Sequence, residues 1–259
     1  MTDDDVLLAG MLADAAGDAI RPFFRARFQI ETKADLSPVT QADRAAESAI
    51  RALLAEHRPD DGVIGEEYGD DRPDAPRVWV IDPIDGTRAF LAGRPLFGTL
   101  IALLEEDRPV LGVIDQPIAR DRWLGASGQP TTLNGLPAHT RLCAALGKAH
   151  LATTGPTYFT GADGAAFEAL RKQARDTLWG GDCHNYGLCA SGHLDLVVEA
   201  GLKLYDYAAL IPVVEGAGGR MTDWHGRPLD KASDGRVIAA GDPGLIDATV
   251  VILSGGTNA

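Results

Sequence analysis

The chain has 259 residues, which at roughly 150 residues per domain is enough for one large or two modest domains with a sizeable core. Hydrophobic residues make up 45% of the chain and charged residues 24%, which is typical of globular proteins and excludes fibrous and disordered classes. The formal net charge of −13 argues against broad binding to nucleic acids or anionic membranes, so an anionic ligand would need cations at its site.

The beginning of the chain predicts neither export nor membrane insertion. Aspartates interrupt residues 1–19, so this segment lacks the basic region and the continuous apolar stretch of a secretory signal. No apolar run approaches the roughly 18 residues that a membrane-spanning helix needs. We therefore expect a cytoplasmic protein without a nucleic-acid or membrane partner.

The first half of the chain shows helix patterns followed by strand patterns. Apolar residues recur at steps of three and four from residue 8 to residue 28, which predicts one long amphipathic helix that Pro22 would kink. A second helix is predicted from an N-cap at Thr40 and an apolar stripe over residues 42–54. Strands are predicted at residues 78–81, 97–104, 110–114 and 122–125. Residues 1–130 are therefore expected to form an α+β domain with two N-terminal helices and an antiparallel sheet.

A segment rich in Gly, Pro, Thr and Asn at residues 128–137 predicts a domain boundary, after which strand and helix patterns alternate. The predicted strands are residues 151–154, 177–179, 194–198, 220–222 and 237–240. The predicted helices are residues 165–175, 184–190, 207–215 and 245–253. This alternation is typical of α/β structure, so residues 131–259 are expected to form an α/β domain.

The most informative segment is a buried-strand pattern that ends in acids around a proline. Residues 79–81 lead into Asp82-Pro83-Ile84-Asp85-Gly86-Thr87. Pro83 fixes φ and lacks an N–H, so the chain must turn there, and both aspartates can project from the strand end beside the Ile84 carbonyl. Gly86 permits close backbone approach, and the amides of Gly86 and Thr87 would face an anion if a helix begins there.

Two further acids occupy comparable positions. Glu66 follows the apolar strand pattern of residues 63–65, and Asp206 lies where a helix pattern begins. If these acids converge with Asp82 and Asp85, each pair about 4 Å apart repels by roughly 4 kcal/mol at an effective dielectric constant of about 20. Protonation or bound divalent cations would relieve this repulsion, and an all-oxygen ligand set suits Mg²⁺ better than zinc. Each acid alone is also compatible with a helix cap or a solvated turn.

Together these motifs resemble those of the inositol monophosphatase-like family of Mg²⁺-dependent, lithium-sensitive phosphatases. The matching elements, in the family's order, are Lys33 with Thr40-x-x-Asp43, Gly65-Glu66-Glu67, Asp82 to Thr87, and Tyr205-Asp206-x-Ala208-Ala209. The resemblance covers nearly the whole chain. It implies a layered αβαβα fold with two sheets, in which residues 1–130 carry most metal ligands. Residues 131–259 would contribute Asp206 and the residues that select the substrate.

The resemblance also implies a ligand set for Mg²⁺, with two or three ions per site. One ion would be held by Glu66, Asp82 and the carbonyl of Ile84. A second would be held by Asp82, Asp85 and Asp206, and a third would lie near Glu66. Asp206 would also contact the substrate.

Catalytic roles and assembly follow from the same resemblance. Thr87, backed by Asp43, would orient the water that attacks phosphorus in line, and Gly86 and Thr87 would contact the substrate. The family further implies a homodimer that acts on a small phosphate ester. The sequence leaves open whether Glu67 or Lys33 takes part in the site.

Within this family the chain most resembles the histidinol-phosphate phosphatases, through residues 85–90, 93–100, 112–117, 181–186 and 199–206. Position matching places Asp182 and Glu199 against the alcohol portion of the substrate, with Asn185 and Arg94 as weaker candidates. Histidinol phosphate carries an ammonium and an imidazole that can be charged, so carboxylates opposite them would be attractive. Asp182 could instead cap the helix predicted at residues 184–190, and Glu199 could be an ordinary strand end.

The sequence therefore predicts a Mg²⁺-dependent histidinol-phosphatase, an enzyme of histidine biosynthesis. The alternatives within the family are an inositol-1-phosphate phosphatase and a 3',5'-bisphosphate nucleotidase. A more distant alternative is a non-catalytic, metal- or ligand-binding regulator, which is disfavoured because every implied acid is present together with Thr87 and Asp43.

Overall fold

The computed structural model of the chain describes residues 1–26, 30–32 and 38–255. The helices in this part of the chain are α1 (Asp3–Ile20), α2 (Gln41–His57), α3 (Thr87–Leu91), α4 (Ala162–Arg171), α5 (His184–Ala190), α6 (Leu204–Tyr207), α7 (Leu210–Gly216) and α8 (Ile246–Leu253). The strands are β1 (Ile30–Thr32), β2 (Pro38–Thr40), β3 (Gly62–Gly65), β4 (Gly69–Asp71), β5 (Arg77–Asp85), β6 (Gly98–Glu105), β7 (Arg108–Gln116), β8 (Asp121–Ala126), β9 (Thr132–Leu133), β10 (Leu136–Pro137), β11 (His150–Thr153), β12 (Asp176–Trp179), β13 (Leu196–Glu199), β14 (Arg220–Thr222) and β15 (Val237–Ala240). Lys33, Phe28 and the side chain of Thr40, the predicted N-cap, lie outside the described residues.

The elements stack in five layers, which confirms the predicted αβαβα fold with two sheets. Helices α1 and α2 pack on one face of the first sheet, against β5, β6 and β7. Helices α5, α6 and α7 lie between the two sheets and contact strands of both. Helices α4 and α8 pack together over the far face of the second sheet, where apolar residues of both helices join its core.

The first sheet is buried on both faces. Among the described residues its strand order is β10-β9-β8-β7-β6-β5-β3-β4, and β3 runs parallel to β5 while the other neighbours are antiparallel. On β5, Trp79 and Ile81 face α1 and α2, whereas Val78 and Val80 face the central helices. Because side chains alternate between two apolar layers, the strand appears in the sequence as a continuous apolar run.

The second sheet is mixed. In the described chain its order is β12-β11-β13-β15-β14, with β11 parallel to β12 and β13 and with β15 antiparallel to β13 and β14. Glu199 ends β13, opposite Val237 of β15. The residue that terminates this central strand is buried.

Two predicted helices are interrupted at prolines. Helix α1 ends at Ile20, Arg21–Phe23 forms a 3-10 turn with Pro22 in its first positions, and Phe24 is extended, so the predicted continuation of this helix past residue 23 is wrong. The helix predicted at residues 207–215 is two helices, α6 and α7. Pro212 has no N–H for the carbonyl of Ala208, and its ring would clash with that carbonyl in a continuous helix. Among the described helices, none has the length and apolar character needed to cross a bilayer.

The first sheet extends beyond the predicted boundary at residue 130. Strands β9 and β10 form a hairpin, and β9 pairs with β8 at the edge of that sheet. The change from one sheet to the other therefore comes after Pro137. The division into two domains stays a prediction.

Candidate active site

A cavity of about 620 Å³ opens where the first sheet meets the central helices and the end of β13. The acids that line it come from separated parts of the chain: Glu66, Asp82, Asp85, Asp182, Glu199 and Asp206. The turn after β5 forms one wall, and residues from the second half of the chain form the opposite wall. The acids predicted to converge from distant segments therefore lie in one cavity.

Three of these acids form a tight cluster. One carboxylate oxygen from each of Asp82, Asp85 and Asp206 lies within 4.8 Å of the other two. Glu66 lines the same cavity and is close enough to influence the charge of both Asp82 and Asp206. Its backbone N–H donates to the Ile81 carbonyl at 3.2 Å, which ties the end of β3 to the end of β5.

Backbone amides hold two of the clustered carboxylates in place. The Cys183 N–H donates to Asp85 Oδ2 at 2.6 Å, and the Lys203 N–H donates to Asp206 Oδ2 at 2.6 Å. Both donors lie in the second half of the chain, in the segments that lead into α5 and α6. The cluster is therefore fixed by both walls of the cavity.

The cluster is strongly anionic and poorly solvated. Burial and the neighbouring charges of Glu66 and Asp85 raise the pKa of Asp82 well above its usual value. Burial and the charges of Asp182 and Asp206 likewise raise the pKa of Asp85. Burial raises the pKa of Asp206 to about 7, although its hydrogen bond from Lys203 acts in the opposite direction. Without a cation, these carboxylates would have to take up protons near neutral pH.

This arrangement fits a hard divalent cation. The Oδ1 atom of Asp82 is buried and accepts no hydrogen bond from the described residues, so its lone pairs are available to a ligand. The carboxylate oxygens of the cluster match the donor preference of Mg²⁺, and no histidine or cysteine belongs to the cluster found among the described residues. The residues Asp82, Asp85 and Asp206 could hold a metal ion together.

The turn after β5 has the form that the sequence predicts. Gly86 has φ of 86° and is the N-cap of α3, which begins at Thr87. The Thr87 hydroxyl donates to the Ile84 carbonyl at 3.1 Å, and the Thr99 hydroxyl donates to the Pro83 carbonyl at 2.8 Å. Ile84 and Thr87 both line the cavity, so the predicted carbonyl ligand and the predicted water-orienting hydroxyl are neighbours.

Asp43 approaches the cluster from α2. It is 1% exposed, and its charge contributes to the raised pKa of Asp82. The structure therefore brings the predicted catalytic acid of the N-terminal region close to the acid cluster. Glu67, whose part in the site the sequence leaves open, has a buried side chain 4.0 Å from Arg44 Nε and is not among the residues that line the cavity.

Asp182 and Glu199 line the cavity from the second half of the chain, and Asp182 packs against the turn after β5. Asp182 has φ of 44°, and its side chain lies so close to Gly86 that a Cβ there would be 3.0 Å from its Oδ2. The N-cap of α5 is Cys183, not Asp182, so the capping alternative for Asp182 is wrong. Burial raises the pKa of Asp182 to about 6, while Arg88 lowers it.

Glu199 is more than an ordinary strand end. Its side chain is buried and accepts hydrogen bonds from the Thr154 N–H at 2.6 Å and the Thr153 hydroxyl at 3.1 Å. Burial raises the pKa of Glu199 to about 7, although these hydrogen bonds oppose the increase. Because a buried carboxylate at a cavity wall is costly, this position suits a cationic or hydrogen-bonding ligand.

The two weaker candidates differ in their placement. Arg94 is exposed and lines the cavity. Asn185 is buried and does not line it, because its amide donates to the Gly180 carbonyl at 3.0 Å and supports the loop that carries Asp182. The predicted direct contact between Asn185 and substrate is therefore not supported by its position.

Sequence reasoning did not identify Arg88 and Tyr158 as site residues. Both line the cavity, and the Arg88 guanidinium lies over the Tyr158 ring, 5.5 Å from its centroid. Arg88 directly follows Thr87, so it could have been found as a cation beside the predicted phosphate position. Tyr158 lies in the loop after β11, outside any motif, and the sequence carries no signal for it.

Comparisons with known proteins agree with this geometry. A profile of the inositol monophosphatase family matches residues 4–253. The bifunctional phosphatase IMPL2 of Arabidopsis thaliana is 48% identical over 240 residues, which are 89% of this chain and 69% of that protein. The histidinol-phosphatase of Mycobacterium tuberculosis is 40% identical over 236 residues, which are 87% of this chain and 90% of that protein. The solved structure of an inositol monophosphatase from Zymomonas mobilis superposes with a TM-score of 0.91 at 58% identity, covering 97% of this chain and 98% of that chain.

Proposed function

Because the chain belongs to the inositol monophosphatase family, and is therefore a phosphatase of that family, we propose that it hydrolyses histidinol phosphate to histidinol and phosphate with Mg²⁺. The observation that carries the proposal is a pair of carboxylates that line the cavity beside the acid cluster, Glu199, which is buried, and Asp182, which is half-buried. The similarity to a histidinol-phosphatase over most of both chains supports the same substrate.

The acid cluster would hold the ions. Glu66, Asp82 and the Ile84 carbonyl are proposed to bind one Mg²⁺, and Asp82, Asp85 and Asp206 a second, with room near Glu66 for a third. When bound, Mg²⁺ supplies charge neutralisation for the phosphate dianion, activation of water and stabilisation of the leaving oxygen. The protein's own contribution is to hold these oxygens together against their repulsion, which the amides of Cys183 and Lys203 help to do.

Thr87 and Asp43 are proposed to orient the attacking water. The Thr87 hydroxyl donates its proton to the Ile84 carbonyl, so its oxygen is left to accept a hydrogen bond from water. A water held in this way keeps a lone pair directed at phosphorus. Asp43 would fix this arrangement from α2, and the backbone of Gly86 and Thr87 would contact the phosphate.

Asp182 and Glu199 would select the alcohol. An ammonium or protonated imidazole beside them would favour their ionised forms and replace the water lost on burial. Inositol has only hydroxyl groups, so it would leave these carboxylates without a countercharge. Arg94, at the exposed rim, is proposed as a secondary contact.

A second candidate function, hydrolysis of inositol 1-phosphate, is favoured by the similarity to the Zymomonas mobilis inositol monophosphatase. A panel of substrates distinguishes the two. Purified protein with Mg²⁺ should release phosphate from histidinol phosphate with a kcat/KM at least about 10-fold above those for inositol 1-phosphate and adenosine 3',5'-bisphosphate, since one ion pair in a shielded site contributes more than 1.4 kcal/mol. A preference for either of the other two esters would refute the proposed substrate.

The specificity residues have a test of their own. Glu199→Gln should raise KM for histidinol phosphate by about 10-fold and leave KM for inositol 1-phosphate nearly unchanged, because only the cationic alcohol loses a charge partner. An equal increase in KM for both substrates would mean that Glu199 supports the structure of the cavity and does not select the substrate.

We propose that the protein is a cytoplasmic homodimer, as the sequence and the family resemblance suggest. Each chain would have two domains, with the boundary after Pro137, where the first sheet ends, and not at residue 130. Sedimentation velocity at micromolar concentration tests the dimer, which should sediment as a species of twice the chain mass. A single species of one chain mass would refute it.

A further inference from the structure

Helix α2 carries a second buried acid one turn after Asp43. Glu47 is 0% exposed, and its carboxylate accepts hydrogen bonds from the Glu67 N–H at 2.8 Å and the Tyr68 N–H at 3.2 Å. The Arg51 Nε–H donates to the same carboxylate at 2.7 Å from one turn further along the helix. All three donors are therefore directed at one side chain that the proposed chemistry does not use.

Arg51 extends this contact along the turn between β3 and β4. One of its terminal nitrogens donates to the Gly69 carbonyl, while its Nε–H donates to Glu47. The Glu47–Arg51 pair thus hydrogen-bonds three successive residues, positions 67 and 68 of the turn and Gly69 at the start of β4. We refer to this pair and its backbone partners as the turn clasp.

Gly65 makes room for the turn clasp. A Cβ built on Gly65 would overlap Glu47 Oε1 and would also approach Arg51 to 2.7 Å. Gly65 is not among the glycines with positive φ, so the requirement here is space and not backbone conformation. The glycine before Glu66 and the acid on α2 therefore fit one another.

We infer that Glu47 and Arg51 are positioning residues that hold Glu66 at the metal site, an inference that rests on the proposed Mg²⁺ ligand set. Glu66 begins the turn whose backbone the clasp holds, and its charge repels Asp82 and Asp206. Repulsion favours movement of Glu66 away from the cluster. The clasp opposes this movement through the backbone, without touching the metal ligands themselves.

Glu47→Gln tests the inference with little change in side-chain volume. Glutamine keeps one acceptor oxygen but turns an NH₂ group towards an N–H donor, so part of the clasp is lost. The Kd for Mg²⁺, measured by calorimetry on the protein without substrate, should rise about 10-fold. The Mg²⁺ concentration for half-maximal phosphate release should rise equally, while KM for histidinol phosphate at saturating Mg²⁺ stays the same.

Three further variants provide comparisons for Glu47→Gln, two that test the same contacts and one that serves as a control. Gly65→Ala should raise the Kd for Mg²⁺ in the same direction, because it breaks the clasp from the other side. Arg51→Gln should give a smaller increase, since Arg51 is partly exposed and Glu47 keeps its two backbone donors. Glu56→Gln, which removes an exposed charge from the same helix, should leave the Kd unchanged.

Hydrogen exchange gives a readout that does not depend on the metal. The amides of Glu67 and Tyr68 should exchange faster in Glu47→Gln than in the parent protein, and those of β6 should not. A folded Glu47→Gln protein whose Kd for Mg²⁺ lies within twofold of the parent's would overturn the inference. If Glu47→Gln does not fold, Arg51→Gln decides in its place. Absence of Mg²⁺ binding by the parent protein would instead refute the proposed ligand set, so the two failures are distinguishable.

Discussion

Acidic groups lie at both ends of strand β5, and the two ends differ in how these charges are compensated. At its start, Arg77 hydrogen-bonds Asp5 at 2.7 Å, Glu105 at 2.8 Å and Asp61 at 3.3 Å. At its end, the charges that act most strongly on Asp82 come from other carboxylates, those of Glu66, Asp85, Asp206 and Asp43. The charges at the start of β5 therefore neutralise one another, whereas the carboxylates at its end lie among like charges. We call these the neutralised end and the uncompensated end of β5.

The pKa values at the two ends move in opposite directions. Burial alone would raise the pKa of Asp5, but hydrogen bonds from Thr2, Arg58 and Arg77 lower it to about 2. At Asp82, burial and like charges act together and raise the pKa. The chain thus supplies Asp5 with its own cations, whereas Asp82 lies among like charges, as a site for a cation from solution would require.

The largest effect is expected from a substitution at the uncompensated end of β5. Asp82→Asn should lower kcat for phosphate release by about 1,000-fold, because a lost metal ligand removes several kcal/mol of transition-state stabilisation. Without Mg²⁺, the same variant should be at least as stable as the parent, since it removes a buried like charge. Urea denaturation with and without EDTA measures the second quantity. Near-normal turnover by this variant would contradict the proposed ligand set.

A substitution at the neutralised end of β5 should instead lower stability and leave catalysis unchanged. Asp5→Asn should lower the free energy of unfolding by about 3 kcal/mol at neutral pH, because Asp5 is 1% exposed and its two arginine partners lose their countercharge. Its kcat and KM should stay those of the parent. The pKa of Asp5 is lowered on folding, so its stabilisation is present above about pH 4 and is lost as pH falls through 2. Acid titration by circular dichroism should show this loss in the parent and not in the variant.

Binding of Mg²⁺ should stabilise the folded protein only through the carboxylates at the uncompensated end of β5. Mg²⁺ at 100 times its Kd should raise the free energy of unfolding by about 2.7 kcal/mol, as mass action requires for a ligand of the folded state. Thermal melts should show this gain in the parent and in Asp5→Asn, and its absence in Asp82→Asn. An equal gain in the free energy of unfolding of all three proteins would mean that Mg²⁺ binds outside the acid cluster.

The last comparison concerns Glu199, which lies across the cavity and tests whether burial alone produces the contrast. Its pKa is raised on folding from 4.5 to about 7, so its contribution to stability is complete below pH 4.5 and is lost as pH rises through 7. In this range the parent without Mg²⁺ should lose up to roughly 1.4 kcal/mol per pH unit more than Glu199→Gln does. Urea denaturation at several pH values, compared between the two proteins, measures the difference. Identical slopes would mean that Glu199 is ionised throughout.

The uncompensated end could be predicted from the sequence because its pattern is local. Asp82 and Asp85 follow an apolar strand, with Pro83 forcing a turn, and Glu66 follows a second apolar run. Family resemblance then related these acids to Asp206, which the structure brings within 4.8 Å of Asp82 and Asp85. The five-layer fold was predictable in the same way, from element order and the resemblance together.

What the sequence did not predict depends on contacts between remote side chains and backbone. Glu47 appears in the sequence as one more polar residue on a helix, and only the packing of α2 against the turn after β3 shows its two amide donors. Asn185 lies close to Asp182 in the chain, yet its amide bonds the loop backbone instead of facing the cavity. The break between α6 and α7 could have been predicted, because Pro212 in the first turn of α7 cannot donate to the carbonyl of Ala208.

The two walls of the cavity have separate origins in the chain. Glu66, Asp82 and Asp85 end strands of the first sheet, whereas Glu199 ends a strand of the second and Asp182 precedes α5. If Asp182 and Glu199 select the alcohol as proposed, substitutions at these two positions should change which ester is accepted more than they change hydrolysis. Asp206 also comes from the second half of the chain, but it belongs to the acid cluster and is not expected to tolerate substitution. Redesign of this enzyme towards new alcohols should accordingly begin at Asp182 and Glu199.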